Sequence, residues 1–210
     1  MISAPGKPLV YLISDGSITP DSYKARSASF LKLVDAAVKY RIPYVQIREK
    51  HLSARLLFDL ASDAVRACQD STIRLLINDR LDVALSVGAD GVHLTADSVT
   101  ADVVRKYVPD GFVIAKSTHS IDEIHQAKSA GADFAVFGPI FERPGKRSAV
   151  GLEVLAEAAN RTSPFPVLAL GGVDETNYRG VLDVGSAGFA AIRFLNNTAN
   201  LAKLSMELGL

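Results

Sequence analysis

The sequence predicts an α/β fold and, within that class, a (β/α)8 TIM barrel. Three observations carry this expectation. Apolar runs too short for buried helices alternate with segments of helical periodicity. The alternation recurs eight times in 210 residues, which suits a closed barrel better than a doubly wound open sheet with its switch point. Three segments, GADGVH at 88–93, GADFAV at 131–136 and GSAGFA at 185–190, each read as a helix stop, a tight turn and a buried strand. Such segments are the αβ junctions of a barrel floor, and their glycines make short turns. The chain 1–210 is expected to be a single barrel domain.

In order, Leu9 to Ser14 (LVYLIS) is the first strand, and Asp15, Gly16, Thr19 and Pro20 form a polar loop. Phe30, Leu31, Leu33, Val34, Ala37 and Val38 recur at helical spacing, which predicts a helix over Ser27 to Tyr40. Pro43 to Ile47 is the second strand and releases Arg48, Glu49, Lys50 and His51. Ser53 is the expected N-cap of the next helix. Ile73 to Ile77 is the third strand; at its end, Asn78 and Asp79 are the residue types favoured as caps, and one of them could also hold a metal. A short helix over 81–87 stops at Gly88. Asp90 to Leu94 and Phe112 to Lys116 are strands four and five, with a helix near 101–107 between them. Ser120 and Glu123 stand at capping-box positions of the fifth helix. Asp133 to Phe137, Pro166 to Leu170 and Ala187 to Ile192 complete the strands. Their helices are expected at 152–159, after an Asp174 cap, and at 197–208.

Composition narrows the function. Formal net charge is zero, so no bulk field attracts nucleic acid or an anionic membrane. The single cysteine, Cys68, excludes an intrachain disulfide and a Cys-based zinc site. No run approaches a membrane span, and the first residues lack the basic start and apolar stretch of a signal peptide. A cytoplasmic protein is the expectation.

In a barrel the C-terminal ends of the strands share one rim. Here that rim gathers Gln46, Arg48 and Lys50; Asn78 and Asp79; His93 and Asp97; Ser117 and His119; Arg143, Gly145 and Lys146; Gly171 and Gly172; and Arg193. Cations, amides and hydroxyls dominate, with two or three carboxylates. That set suits an anionic substrate and a divalent metal. Gln46, Arg48 and Lys50 alternate and are expected to share a face. His93, inside a short apolar strand, reads as a satisfied interior histidine. His119 can serve as a general acid or base. Gly171-Gly172 after strand seven fits the phosphate site common in barrels, where backbone N–H groups face the ligand.

Taken together, YLIS-D, VQIREK, INDRLDVAL, GADGVHL, STHS, GADFAVFGPIF and LALGGV, in that order, resemble the thiamine phosphate synthase family and its thiazole tautomerase relatives. The resemblance runs along almost the whole chain. It implies a transferase of thiamine biosynthesis that joins a pyrimidine methyl diphosphate to a thiazole phosphate, releases pyrophosphate and uses Mg2+. It places Gln46, Arg48, Lys50 and Asn78 on the pyrimidine diphosphate, Asp79 on the metal, Ser117 on the pyrimidine, and Gly172, Ile192 and Arg193 around the thiazole phosphate. Lys146 and His119 are the catalytic candidates, Arg143 and Gly145 belong to the substrate loop, and Asp97 is the second metal candidate. The sequence departs from the family's pattern at three places. Thr95-Ala96-Asp97-Ser98 stands where synthases carry Gly-Gln-Glu-Asp, so Ser98 occupies the position of a metal-ligating aspartate. Arg143-Pro144-Gly145-Lys146 keeps only the lysine of a Thr-x-Thr-Lys run. Arg193 replaces a serine. The alternatives are a thiazole tautomerase, for which His119 would move the proton, and a non-catalytic binder of thiamine precursors. The partners implied are the two phosphorylated heterocycles, with no nucleic acid and no membrane; a homodimer is compatible with the sequence.

Overall fold

The computed structural model describes residues 7–142 and 148–210; Arg143, Gly145 and Lys146 lie outside the described residues. Eight parallel strands close into a barrel in chain order. They are β1 (Leu9–Ile13), β2 (Tyr44–Ile47), β3 (Arg74–Asn78), β4 (Gly91–Leu94), β5 (Val113–Thr118), β6 (Phe134–Phe137), β7 (Val167–Ala169) and β8 (Gly188–Ala191). Each is followed by a helix: α1 (Tyr23–Lys39), α2 (Ala54–Cys68), α3 (Leu81–Val87), α4 (Ala101–Arg105), α5 (Ile121–Ser129), α6 (Gly151–Thr162), α7 (Tyr178–Asp183) and α8 (Thr198–Leu208). Closure comes from β1 pairing with β8, with Leu9 opposite Gly188. The predicted (β/α)8 barrel is the observed architecture. No helix among the described residues is long and apolar enough to cross a membrane.

The strands are apolar on both faces because each face meets a different core. Val10, Leu12, Val45, Leu75, Ile77 and Val92 point outward and pack under the helices. Leu9, Tyr11, Tyr44, Leu76, Ala115, Phe134, Val136 and Leu168 point inward and fill the barrel. The two-residue alternation of a strand produces this split. Tyr11, Tyr44 and Phe134 meet edge-to-face inside, with centroids 5.2–5.9 Å apart. The barrel is therefore plugged below its rim, and chemistry is confined to the open end.

The floor junctions do more than turn. Asp90 accepts a hydrogen bond from the Leu75 N–H at 2.9 Å, and Asp133 from the Ile114 N–H at 2.6 Å. Each aspartate of a Gly-Ala-Asp segment thus ties its junction to the preceding strand, a role a reading of the glycines alone leaves out. The Ser53 and Ser120 caps are present, accepting from Leu56 and Glu123 N–H groups. Two expected caps are not. The N-cap position of α3 is Arg80 and has no side-chain cap bond, so neither Asn78 nor Asp79 caps it. Asp174 turns the chain before α7 by bonding Thr176, and Asn177 holds the N-cap position. Helix α1 starts at Tyr23, four residues before the expected Ser27. Reciprocal bonds between Thr19 and Ser22 set up its first turn, and that turn is too polar to register as apolar periodicity.

Candidate active site

The rim divides into two halves separated by a buried polar chain. On the β2 side, VQIREK does not present three residues on one face. The strand ends at Ile47, and its alternation ends with it. Gln46 is 1 % exposed and lies inside the barrel. The Arg48 guanidinium leans toward the β1 exit loop, about 3.5 Å from where a side chain on Gly16 would begin. Lys50 is exposed and lines a cavity of about 230 Å3 with Asn78, Asp79 and Arg80. Between them, Glu49 is only 4 % exposed. Its two carboxylate oxygens accept from the Gly16 N–H at 3.2 Å and the Ile18 N–H at 2.9 Å, while the Arg48 N–H donates to Ser14 at 2.8 Å. Burial raises the Glu49 pKa, and the hydrogen bonds from Ser14, Ile18 and Gly16 oppose the rise. Glu49 clamps the β1 exit loop, a role that the sequence hides within a charged run.

Asp79 has a left-handed backbone, with φ of 60°, a conformation aspartate tolerates better than most residues. Its N–H donates to the His93 carbonyl at 2.9 Å. Its carboxylate accepts from the Ser98 hydroxyl. Ser98 in turn accepts from the Thr95 N–H at 2.7 Å, and Lys116 donates to the Thr95 carbonyl at 2.6 Å. Ser98, rather than the exposed Asp97, is thus the residue of the β4 exit loop that meets Asp79. Lys116 is hidden in the sequence because it reads as a strand residue. Burial lowers its pKa, countered by the charges of Glu123, Asp79 and Asp97. Among the described residues no three His, Cys, Asp or Glu side chains group as a metal cage.

Under the mouth, four side chains from four strands form one hydrogen-bonded chain. Gln46 Nε2 donates to the Tyr11 hydroxyl at 2.8 Å. That hydroxyl lies 3.2 Å from His93 Nδ1, and His93 Nε2 lies 2.8 Å from Ser117 Oγ. Burial, reinforced by the charges of Arg48 and Lys116, lowers the His93 pKa to about 3. Burial also pushes the Tyr11 phenol well above its usual value. Both groups are neutral at physiological pH. The expected satisfied interior histidine is present, and its partners are Tyr11 and the candidate site residue Ser117.

On the far half, Gly171, Gly172, Ile192, Arg193 and Asn200 line a cavity of about 410 Å3 together with Asp174, Glu175 and Glu142. Both glycines have positive φ, 99° and 72°. A Cβ on Gly171 would stand 2.6 Å from Pro139, and one on Gly172 2.6 Å from Phe141. Hydrogen bonds from Ile140 to Leu170 and from Phe141 to Gly171, both 2.9 Å, zip the two exit segments together. Only glycine fits this seam. His119 is exposed beside it, with Nδ1 2.6 Å from the Gly138 carbonyl. A carbonyl only accepts, so Nδ1 carries a proton, and Nε2 faces away from this bond.

Comparison with known proteins agrees with this architecture. A family model described as thiamine monophosphate synthase matches residues 10–195. A putative thiamine-phosphate synthase of Geobacter sulfurreducens is 39% identical over 186 residues, covering 87% of this chain and 84% of that protein. The thiamine-phosphate synthase of Roseiflexus sp. is 33% identical over 190 residues, covering 89% and 78%. Among solved structures, the thiamine phosphate pyrophosphorylase from Pyrococcus furiosus superposes with a TM-score of 0.78 at 27% identity, covering 95% of this chain and 96% of that one.

Proposed function

The chain belongs to the thiamine monophosphate synthase family, and from that premise we propose that it is a transferase joining a hydroxymethylpyrimidine diphosphate to a thiazole phosphate with release of pyrophosphate. The observation that carries the reading is the two-sided rim. Lys50, Asn78 and Asp79 share one cavity, and Gly172, Ile192 and Arg193 share another. β3, which releases Asn78 and Asp79, stands opposite β7, which releases Gly172, so two phosphorylated substrates can bind side by side over the Gln46–Tyr11–His93–Ser117 chain.

Arg48, Lys50 and Asn78 hold the diphosphate, with Arg48 steadied by the Glu49-clamped loop. Ser117 and Gln46 place the pyrimidine. The backbone of Gly172 and Ile192, with Arg193, binds the thiazole phosphate. Mg2+ is the cofactor of this reading. It takes oxygen ligands, keeps several waters and is usually held by one or two carboxylates plus substrate phosphates. Asp79 is a carboxylate of that kind and fits it, and Asp97, on the β4 exit loop whose Ser98 bonds Asp79, is the second candidate. When bound, the ion would offset charge on the leaving pyrophosphate. The C–O bond to the diphosphate breaks, its electron pair leaves with pyrophosphate, and the thiazole nitrogen supplies the pair for the new C–N bond. Arg48, Lys50 and, from the substrate loop of Arg143 and Gly145, Lys146 stabilise the departing charge.

A thiazole tautomerase is the second reading, favoured by the exposed His119 at the rim, anchored through Nδ1, and by Ser98. One assay separates the two. Purified protein with both substrates and Mg2+ should form thiamine phosphate and pyrophosphate, and Asp79→Ala should abolish this. No coupled product, together with proton exchange on a thiazole carboxylate phosphate, would transfer the assignment to the tautomerase.

A further inference from the structure

The buried chain from Gln46 to Ser117 has a direction, and the direction can be worked out from hydrogen-bonding capacity. The Gln46 amide nitrogen has only hydrogens to offer, so the Tyr11 oxygen accepts from it. The phenol proton then needs an acceptor of its own. Tyr11 is 0 % exposed, and the rings of Tyr44 and Phe134 pack edge-on against it. Leaving that proton unpartnered would cost the desolvation of a buried donor. His93 Nδ1, at 3.2 Å, is the acceptor within reach. A neutral imidazole that accepts at Nδ1 carries its hydrogen on Nε2. That hydrogen points at Ser117 Oγ, 2.8 Å away. Ser117 thereby accepts from below, and its own hydroxyl hydrogen is unspent. The residue is half-buried at the top of β5, where the barrel opens.

We infer that Tyr11 and His93 are positioning residues that fix the polarity of this chain, so that Ser117 meets the substrate as a hydrogen-bond donor and selects a ring presenting an unprotonated acceptor nitrogen. This rests on the reading that the pyrimidine lies over Ser117. Turning the Gln46 amide would reverse every bond: His93 would hold its hydrogen on Nδ1, and Ser117 would face the ligand as an acceptor. The two polarities therefore differ in one observable, the tautomer of His93.

Nitrogen-15 NMR of histidine-labelled protein reads that observable directly, with His93 assigned by the signal lost in His93→Gln. The expected result is a neutral Nε2–H tautomer; an Nδ1–H tautomer in the wild-type spectrum overturns the inference. This measurement needs no turnover, so it stands or falls separately from the assignment of the reaction. Two variants extend it. Ser117→Ala should leave the tautomer unchanged, because Tyr11 sets it from the other side; a switch to Nδ1–H would count against the inference. Tyr11→Phe should remove the preference and raise KM for the pyrimidine diphosphate about tenfold, the worth of one buried hydrogen bond, with KM for the thiazole phosphate unchanged. If Tyr11→Phe keeps both the Nε2–H signature and the wild-type KM, Tyr11 does not set the polarity.

Discussion

Glu49 shows how much a single side chain can decide. Both of its oxygens are committed to backbone N–H groups of the β1 exit loop. Glutamine in its place would keep one acceptor and turn a donor NH2 toward the second N–H. Glu49→Gln is therefore expected to cost roughly 1–3 kcal/mol of unfolding free energy, the penalty for a buried donor left unpaired, measurable as a lower urea midpoint at constant slope. His93 should contribute to the loss of stability in acid. Its folded pKa of about 3 lies below the ordinary value of 6.5. As pH falls through that window, the unfolded chain takes up a proton that the folded chain refuses, so stability falls with pH. The loss approaches ~1.4 kcal/mol per pH unit for this group. Urea titrations between pH 6.5 and pH 4 should show a steeper decline for wild type than for His93→Gln; parallel declines would mean that the histidine is not held neutral. Of the two, only the satisfied burial of His93 was legible in the sequence, and not its partners. Glu49 sits between two cations there, and the partners of His93 are 82 and 24 residues away.

Elements were easier to read than the seams between them. Strands and most helices follow from apolar periodicity, a local property, and eight of each were legible. The start of α1, the absent caps on α3 and α7 and the burial of Glu49 beside an exposed Lys50 were not, because loop hydrogen bonds decide them. The seam between the β6 and β7 exits is a case where sequence and structure meet. Gly171-Gly172 reads as a phosphate site, and the structure adds that Pro139 and Phe141 pack where their side chains would be. Gly172→Ala should thus act twice. It strains a backbone at φ 72° and pushes Phe141 away, for a cost on the order of 1–3 kcal/mol. It should also raise KM for the thiazole phosphate while sparing the KM of the diphosphate substrate. Equal effects on both would mean that the seam supports the whole rim rather than one half of it.

At the scale of the molecule, closure of the barrel sets the logic of the site. Strand order around the ring puts β3, which releases Asp79, opposite β7, which releases Gly172, and three strands from β8, which releases Arg193; Asp79 and Arg193 line different cavities, and the aromatic plug of Tyr11, Tyr44 and Phe134 lies beneath both. Side chains without shared partners contribute nearly independently, while those in one network couple. Asp79 is bonded into the Ser98–Thr95–Lys116 cluster, and Arg193 lines the glycine cavity. Their effects should separate by substrate. Arg193→Ala is expected to raise KM for the thiazole phosphate about tenfold or more, the loss of one charge-assisted contact, and to leave diphosphate binding as it was. Asp79→Asn should weaken the diphosphate substrate and its metal dependence and leave thiazole phosphate binding intact. Equilibrium binding of each substrate alone to each variant measures this without turnover. The double variant, assayed for kcat/KM, should then show free-energy losses that sum. Losses well short of the sum would mean that the two halves communicate through the buried chain between them, and the rim would have to be treated as a single site.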